Sequence, residues 1–314
     1  MFVVVRPSSP ALRPFVEHLW YFESTASPGR ERVFPSGAAQ LLVNLDFDEL
    51  RSYDPRDGGV AQRSSGAALQ GASSRPHVID AGDLRSIAGV AFRPGGTVPF
   101  FDEPADAVRD ELADLSTLWG RGGAVLPERL TEAPDPHDRI RLLEQALLER
   151  LRRPASPATR VALAALDRGT PVAEVADRLG ATPRRFAERF AADVGLTPKR
   201  FARVRRFQRL LADVVAREPE DWARLAAEHG YYDQAHMIHD FQAFTGITPT
   251  RYRPRSAGER NHLSLESGFL QSPASEAGHA RRHEHTTHSR PLPAPGRQRR
   301  GGRARLLRQG VRRA

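Results

Sequence analysis

The residues best suited to chemistry in this chain are arginines at helical spacing near its middle. Arg184, Arg185 and Arg189 alternate with Phe186 and Phe190. On a helix, residues four apart share a face, so the phenylalanines point inward and the arginines point outward. An exposed guanidinium can form two hydrogen bonds to O6 and N7 of guanine in the major groove of DNA. The pattern predicts a helix that reads base edges, while a merely solvated amphipathic helix is the alternative for any single helix of this kind.

The charge around this helix strengthens the first interpretation. Residues 183–209 contain nine basic residues and two acidic ones, which is an excess of seven positive charges. Phosphate contacts supply much of the affinity of a DNA-binding protein, so local clustering matters more than total charge. We therefore expect backbone or base contacts from a set of residues in this region: Thr182, Arg184, Arg185, Glu188, Arg189, Lys199, Arg200, Arg203 and Arg206.

Two similar helix pairs position these residues. Apolar periodicity predicts helices over 171–180 and 183–195, a long helix Arg200–Val215, and a second pair over 221–230 and 233–246. Thr182 and Asp233 are natural N-caps for the second helix of each pair. Both pairs end alike, with Gly-Leu-Thr-Pro at 195–198 and Gly-Ile-Thr-Pro at 246–249. The unit is therefore duplicated in its framework.

The second pair differs from the first in charge. Between Asp233 and Phe244 there is no arginine or lysine, and the residues predicted to face outward are Gln234, Ala235, His236 and His239. We expect the first pair to dominate affinity for DNA and the second to make weaker or more selective contacts. We add Arg253, just past the second pair, to the predicted DNA-binding residues.

Residues 158–253 resemble the AraC/XylS-type DNA-binding domain, most specifically in GYYDQAHM at 230–237, TGITP at 245–249 and the Tyr252-Arg253 pair. The resemblance implies two helix-turn-helix units joined by a linker helix. Their recognition helices, at about 183–193 and 233–244, would enter successive major grooves about 34 Å apart. The chain departs from the family at Tyr232, where serine is frequent, and around 240–243, where the family is usually basic.

The N-terminal half predicts a different kind of structure. Short apolar strands at Gln40–Asp46 and Ser86–Phe92 lie among glycine and proline turns, and strand-like pieces occur at 67–69 and 77–79. The segment FVEHLWYFES at 15–24 reads as a short helix running into a strand, and helical periodicity covers Val108–Trp119 and Asp138–Arg152. FPSGAAQLLVNL and GVAFRPGGTVPFF resemble an uncharacterised group of sensory domains that precede AraC-type modules. This implies an effector or dimerisation domain, with a small-molecule effector and a homodimer both left open.

The resulting fold class is α+β, in three parts. Residues 1–152 form a β-rich, barrel-like or sandwich-like domain that ends in a helical hairpin, and residues 153–254 form an all-α double helix-turn-helix domain. Residues 255–314 hold thirteen arginines and four glutamates, an excess of nine that equals the net charge of the whole chain. This basic tail has no periodicity and is predicted to be disordered. Its histidines 279, 283, 285 and 288 have no scaffold for a metal.

The residues that enzymes and metal sites need are missing from the pattern. The chain has no cysteine, which excludes disulfides, thiolate zinc sites and cysteine nucleophiles. His18 and His77 lack a second histidine at ligand spacing, and Gly95-Gly96 has no P-loop lysine after it. No nucleophile–base pair is visible. We therefore predict no catalytic residue, no metal and no cofactor, and hence no enzyme.

The leading function is a sequence-specific DNA-binding transcription regulator that is modulated by its N-terminal domain and contacts double-stranded DNA and RNA polymerase. Activation and repression stay open. The alternatives are a nonspecific nucleic-acid binder driven by charge and, behind it, a β-barrel enzyme fused to a DNA module. No apolar run approaches the ~20 residues of a membrane span, and the N-terminus has no basic segment typical of a signal peptide. We expect a cytoplasmic protein with no membrane partner that associates with the nucleoid when bound to DNA.

Overall fold

Alternating apolar residues fold the first part of the chain into two antiparallel sheets. The computed structural model describes residues 1–25, 29–152, 156–217, 221–254 and 260–265, which lie within one compact unit, residues 1–272. The strands are β1 Phe2–Val5, β2 Val16–Glu23, β3 Arg30–Val33, β4 Gln40–Asn44, β5 Glu49–Tyr53, β6 Val60–Ser65, β7 Ala67–Gln70, β8 His77–Asp80, β9 Ser86–Phe92, β10 Leu112–Asp114 and β11 His262–Leu265. The larger sheet has the order β1-β2-β9-β4-β7-β10 and the smaller one β11-β3-β8-β5-β6.

Helices form the rest of the described chain. They are α1 Leu115–Trp119, α2 Arg121–Thr131, α3 Pro136–Arg150, α4 Pro157–Asp167, α5 Val172–Arg178, α6 Pro183–Val194, α7 Pro198–Arg217, α8 Trp222–Glu228 and α9 Gln234–Thr245. Short 3-10 turns lie at Ala81–Asp83, Ala105–Val108 and Pro249–Arg251. A β-rich N-terminal part followed by a helical part confirms the predicted α+β class.

The larger sheet buries one face against α2 and α3. This core contains the strand residues Leu19, Leu41 and Val90 together with Leu126 of α2 and Leu143 of α3, all 1 % exposed or less. Fully burying each such side chain contributes roughly 1.5–3 kcal/mol to folding. Helices α2 and α3 are thus anchored to the sheet.

A second core belongs to the helical part and also takes in two residues from loops of the N-terminal part. Phe34, just after β3, is 2 % exposed, and its ring centroid lies 6.1 Å from that of Phe207 on α7 and 6.0 Å from that of Tyr252. Ala72 joins the same cluster from the loop after β7. The two predicted parts of the chain therefore share a core in this structure.

Two local predictions are corrected. The segment FVEHLWYFES contains no helix, because its buried residues alternate along β2. Val108–Trp119 is not one helix: Asp110 has a left-handed φ of 59°, and β10 pairs with β7 before α1 begins. A left-handed non-glycine residue interrupts a helix at a cost of roughly 1–2 kcal/mol. The Asp110 carboxylate offsets part of this cost by accepting hydrogen bonds from Ser74, from N at 2.6 Å and from Oγ at 2.8 Å.

Helix α2 was not predicted, because Gly122, Gly123 and Pro127 give it a poor intrinsic propensity. Burial of its apolar face overrides that propensity. Part of the predicted tail is also ordered, since β11 pairs with β3 along its whole length. The remainder of the tail, residues 266–314 with its four histidines, lies outside the described residues.

Candidate nucleic-acid interface

Helix α6 is held from both ends and from its inner face. The Thr182 side chain accepts a hydrogen bond from the backbone N of Arg185 at 3.4 Å, as expected of an N-cap. Gly195 ends the helix with a left-handed φ of 89°. Phe186 and Phe190 are 6 % and 1 % exposed. Because the inner face is fixed, the residues opposite it project outward in a defined orientation.

The outward face of α6 carries four residues predicted to contact DNA, and all of them are exposed: Arg184, Arg185, Glu188 and Arg189. Arg184 Nε lies 2.8 Å from Glu188 Oε1, and Arg189 Nε lies 3.4 Å from Asp193 Oδ2. The first pair is exposed at both ends, and such pairs contribute only about 0.3–0.5 kcal/mol, so Arg184 exchanges partners easily. In the second pair Arg189 is exposed, whereas the Asp193 side chain is 14 % exposed. The Arg185 side chain has no ion-pair or hydrogen-bond partner among the described residues.

Helix α7 presents its first turn to solvent. Lys199 and Arg200 are exposed there, and among the residues that the structure describes their side chains have no partner. The N-terminus of a helix carries unpaired N–H groups and a partial positive charge that favour a phosphate. The two cations and the helix end thus both favour the binding of an anion.

Arg203 and Arg206 lie elsewhere, on the side of α7 that meets α9. Arg203 Nη2 lies 2.9 Å from Asp240 Oδ1, and Arg206 Nη2 lies 3.1 Å from Asp240 Oδ2. The Asp240 side chain is only 4 % exposed, and Arg206 also donates to the carbonyl of Gly230 at 3.2 Å. The guanidinium of Arg206 lies 4.3 Å from the centre of the Tyr231 ring. These two arginines join α7 to α9.

Tyr231 is buried beside this cluster. Burial, reinforced by the charge of Asp240, raises the pKa of the Tyr231 phenol to about 12. The ring therefore stays neutral at physiological pH and packs as an aromatic surface for Arg206.

Two more cations of α7 are paired with α4. Arg205 Nε lies 2.6 Å from Asp167 Oδ1, and Arg209 donates to the backbone carbonyl of Asp167. Asp167 on α4 and Asp240 on α9 both lie outside the segment in which the sequence showed an excess of positive charge. Of the nine cations in residues 183–209, those without a side-chain partner among the described residues are Arg185, Lys199 and Arg200.

Helix α9 repeats the framework of α6 with a different surface. Asp233 caps it by accepting from the backbone N of His236 at 2.7 Å, and Gly246 ends it with a φ of 78°. Its inner face contains Met237, Phe241 and Phe244. The outward residues Gln234, Ala235, His236 and His239 are exposed as predicted. Arg253 is exposed as well, and its Nη1 donates to the carbonyls of Thr250 and Tyr252 at 3.0 and 2.7 Å.

Asp240 is a structural residue outside the predicted set, although its position in the sequence carries a signal. Asp240 lies three residues after Met237 and one before Phe241, which places it on the inner face of α9. An acidic residue at such a position needs a buried cationic partner. The arginines of α7 supply it.

Two other kinds of feature, a metal site and a membrane span, are absent from the part of the chain that the structure describes. It holds no group of three or more histidine, aspartate or glutamate side chains placed to bind a metal ion. Nor does it contain a helix long and apolar enough to cross a membrane. A cavity between the sheets and α6, lined by residues such as Ala39, Phe101 and Val194, has ≈ 10 Å³ of free space, which is about the volume that one water needs.

Comparison with known families identifies two segments. Residues 175–255 match a family described as Helix-turn-helix domain, and residues 4–114 match a domain of unknown function, DUF6597. The first match includes α6, α7, α8 and α9, and the second includes both sheets except β11. None of the curated proteins matches the chain.

Solved structures with similarity include two bacterial proteins. The C-terminal domain of AraT, a response regulator from Geobacillus stearothermophilus, is 19 % identical over 31 % of this chain and 84 % of its own, with a TM-score of 0.30. ToxT from Vibrio cholerae is 10 % identical over 72 % of this chain and 96 % of its own, with a TM-score of 0.40.

Proposed function

We infer that this protein, a DNA-binding transcription regulator with an AraC-type helix-turn-helix domain at residues 175–255, reads DNA through α6 and α9 in successive major grooves. The observation that carries this is the matched construction of the two helices. Each begins at a side-chain cap, ends at a left-handed glycine and exposes polar residues in its first turns. Because both inner faces belong to one core, the two outward faces are mounted on a common support.

We assign affinity mainly to the first unit. Arg185 is free to form a bidentate contact with guanine, while the exposed guanidinium groups of Arg184 and Arg189 can exchange their carboxylate partners for bases or phosphates. Lys199 and Arg200 would bind a phosphate at the start of α7. Arg203 and Arg206 were predicted to contact DNA, and we now propose that they act by holding α9 through Asp240.

The second unit would contribute selectivity. Gln234, in the first turn of α9, can bond adenine N6 and N7 in a bidentate manner, and His236 and His239 add single hydrogen bonds. A neutral helix gains little from phosphates, so its binding depends more on which bases it meets. We therefore propose that α6 supplies most of the affinity for DNA and that α9 supplies most of the base selectivity.

The experiment is a selection of duplexes from a randomised DNA pool by the full chain, followed by titration at fixed salt. The wild type should enrich a sequence with two half-sites and prefer it over random DNA by about 10³-fold or more. Arg185→Ala should lose about 1–3 kcal/mol of binding free energy and relax base preference in one half-site. Arg178→Ala is the matched control, because Arg178 is an exposed arginine on α5 that pairs with Glu174.

Equal affinity for selected and random DNA would refute sequence-specific reading and favour the charge-driven binder. An Arg185→Ala variant that binds like the Arg178→Ala variant would refute the assignment of Arg185. Both results can be read from the same titration.

We also propose that residues 1–152 regulate the DNA-binding part, residues 153–254. The shared core around Phe34 supports this, because a change in the conformation of the sheets would alter the packing against α7. A small-molecule effector, a homodimer and a contact with RNA polymerase belong to this proposal. The enclosed cavity beside Val194, with ≈ 10 Å³ of free space, is too small for an effector of ordinary size. An open depression lined by Val4, Glu17, His18 and Arg93 has ≈ 490 Å³ and is the larger of these two places.

A further inference from the structure

The C-terminal end of α9 is held by a residue of the N-terminal sheet. Arg32 on β3 donates from Nη1 to the backbone carbonyl of Thr245 at 2.8 Å. Thr245 is the last residue of α9 and is fully buried. The last carbonyls of a helix have no partner within it and carry a partial negative charge, so a guanidinium is a fitting cap.

The local geometry is built around this contact. Gly246, which follows Thr245, has a φ of 78°, and a Cβ at that position would lie 1.6 Å from Arg32 Nη1. The residue after the helix therefore has to be glycine both for its backbone conformation and for the approach of Arg32. The other end of the guanidinium reaches the carbonyl of Pro55, with Nη2 at 3.4 Å.

Arg32 is itself firmly placed. Strand β3 lies between β8 and β11, with Arg32 opposite Val78 on one side and Leu263 on the other. Burial lowers the pKa of Arg32, but an arginine starts so far above neutrality that it keeps its charge. The side chain thus links a paired strand of the smaller sheet to the end of a DNA-reading helix.

Two separate attachments then hold α9. Asp240, near the middle of the helix, is bound by Arg203 and Arg206 of α7. The end of the helix is bound by Arg32 from the sheet. The apolar packing of Met237, Phe241 and Phe244 holds the inner face of α9, and two polar attachments at different points along the helix add a directional restraint.

We propose that Arg32 is a positioning residue through which the N-terminal sheet sets the direction of α9 in its DNA groove. The inference rests on the proposed function, in which α9 reads the second half-site. Arg32 touches no DNA in this arrangement; it acts through the end of the helix. Occupancy of the second half-site consequently depends on a side chain that lies 213 positions earlier in the chain than the residue it caps.

The test uses the full chain and the duplex that the wild type selects from a randomised pool. Hydroxyl-radical footprints and titrations compare Arg32→Gln and Arg32→Lys with the matched control Arg30→Gln. Arg30 lies on the same strand and the same face, but it donates to Gly58 at 2.7 Å and pairs with Asp80 at 3.7 Å, both within the N-terminal part.

We expect Arg32→Gln to weaken protection of the second half-site by about tenfold, a typical coupling between two sites, and to leave the first half-site protected. Arg32→Lys should keep more of the protection at the second half-site than Arg32→Gln does, because lysine keeps a cation at the helix end. Arg30→Gln should behave like the wild type. If Arg32→Gln fails to fold, as judged by circular dichroism, the lysine variant carries the comparison.

Equal loss at both half-sites, or unchanged protection at the second, would overturn the role of Arg32. The failure of the proposed function looks different, because there the wild type itself selects no sequence. In that case the inference falls with it. Amide hydrogen exchange without DNA adds a direct readout: exchange at Gly246 and Ile247 should be faster in Arg32→Gln than in Arg30→Gln.

Discussion

Replacing Asp240 by asparagine tests whether the buried carboxylate holds α9 on α7. The substitution keeps the size of the side chain but removes the charge that two arginines face. Breaking a buried ion pair from one side typically costs 3–5 kcal/mol, because the remaining charge is left without its partner.

The structure lowers that figure for Asp240→Asn. The side chains of Arg203 and Arg206 are 43 % and 24 % exposed, so water can solvate part of each cation after the change. The asparagine oxygen can also accept one of the hydrogen bonds. We therefore expect a loss of about 2–3 kcal/mol in the free energy of unfolding of the helical part.

The assay is equilibrium denaturation in urea, followed by the fluorescence of Trp222 on α8 in a protein whose other two tryptophans, Trp20 and Trp119, are changed to phenylalanine. The matched control is Glu174→Gln, which breaks the exposed pair with Arg178 and should cost at most about 0.5 kcal/mol. A loss below about 1 kcal/mol for Asp240→Asn would refute the reasoning, because the carboxylate would then not be holding the two helices together.

Two further perturbations probe the N-terminal part. Phe34→Ala should lower the free energy of unfolding by about 3–5 kcal/mol, since it leaves a cavity between Phe207 and Tyr252. The control is Phe2→Ala, at a residue that is 62 % exposed, which should cost about 0.5 kcal/mol or less. Equal losses for the two variants in urea denaturation would contradict the shared core. Burial lowers the pKa of His77 to about 4. Between pH 6.5 and 4 the unfolded chain therefore binds a proton at His77 more readily than the folded chain does, and the free energy of unfolding falls as the pH falls. From pH 7 to 5 this amounts to about 2 kcal/mol, and His77→Gln should remove that part of the pH dependence; parallel stability curves for the two proteins would show that His77 does not cause it.

Much of the helical part could be predicted because its signals are local. Thr182 and Asp233 cap the helices that follow them, and Gly195 and Gly246 end those helices, because each feature depends only on residues within about one turn. The exposed faces of α6 and α9 follow from the same periodicity. In the N-terminal part the signals were weaker. The burial of α2 and the left-handed turn at Asp110 depend on contacts with strands and loops distant in the chain.

By itself, the sequence determined helices α5 to α9, the caps of α6 and α9, and the set of cations near the candidate interface. The tertiary structure decided which of those cations are available. Arg203 and Arg205 meet Asp240 and Asp167, which are 37 and 38 positions away, and Arg32 reaches the end of α9 from the opposite end of the chain. Charge can be counted along a sequence, but an ion pair is set by distance in space. A cluster of nine cations therefore becomes, after folding, a small free set beside several arginines that join α7 to α4 and α9.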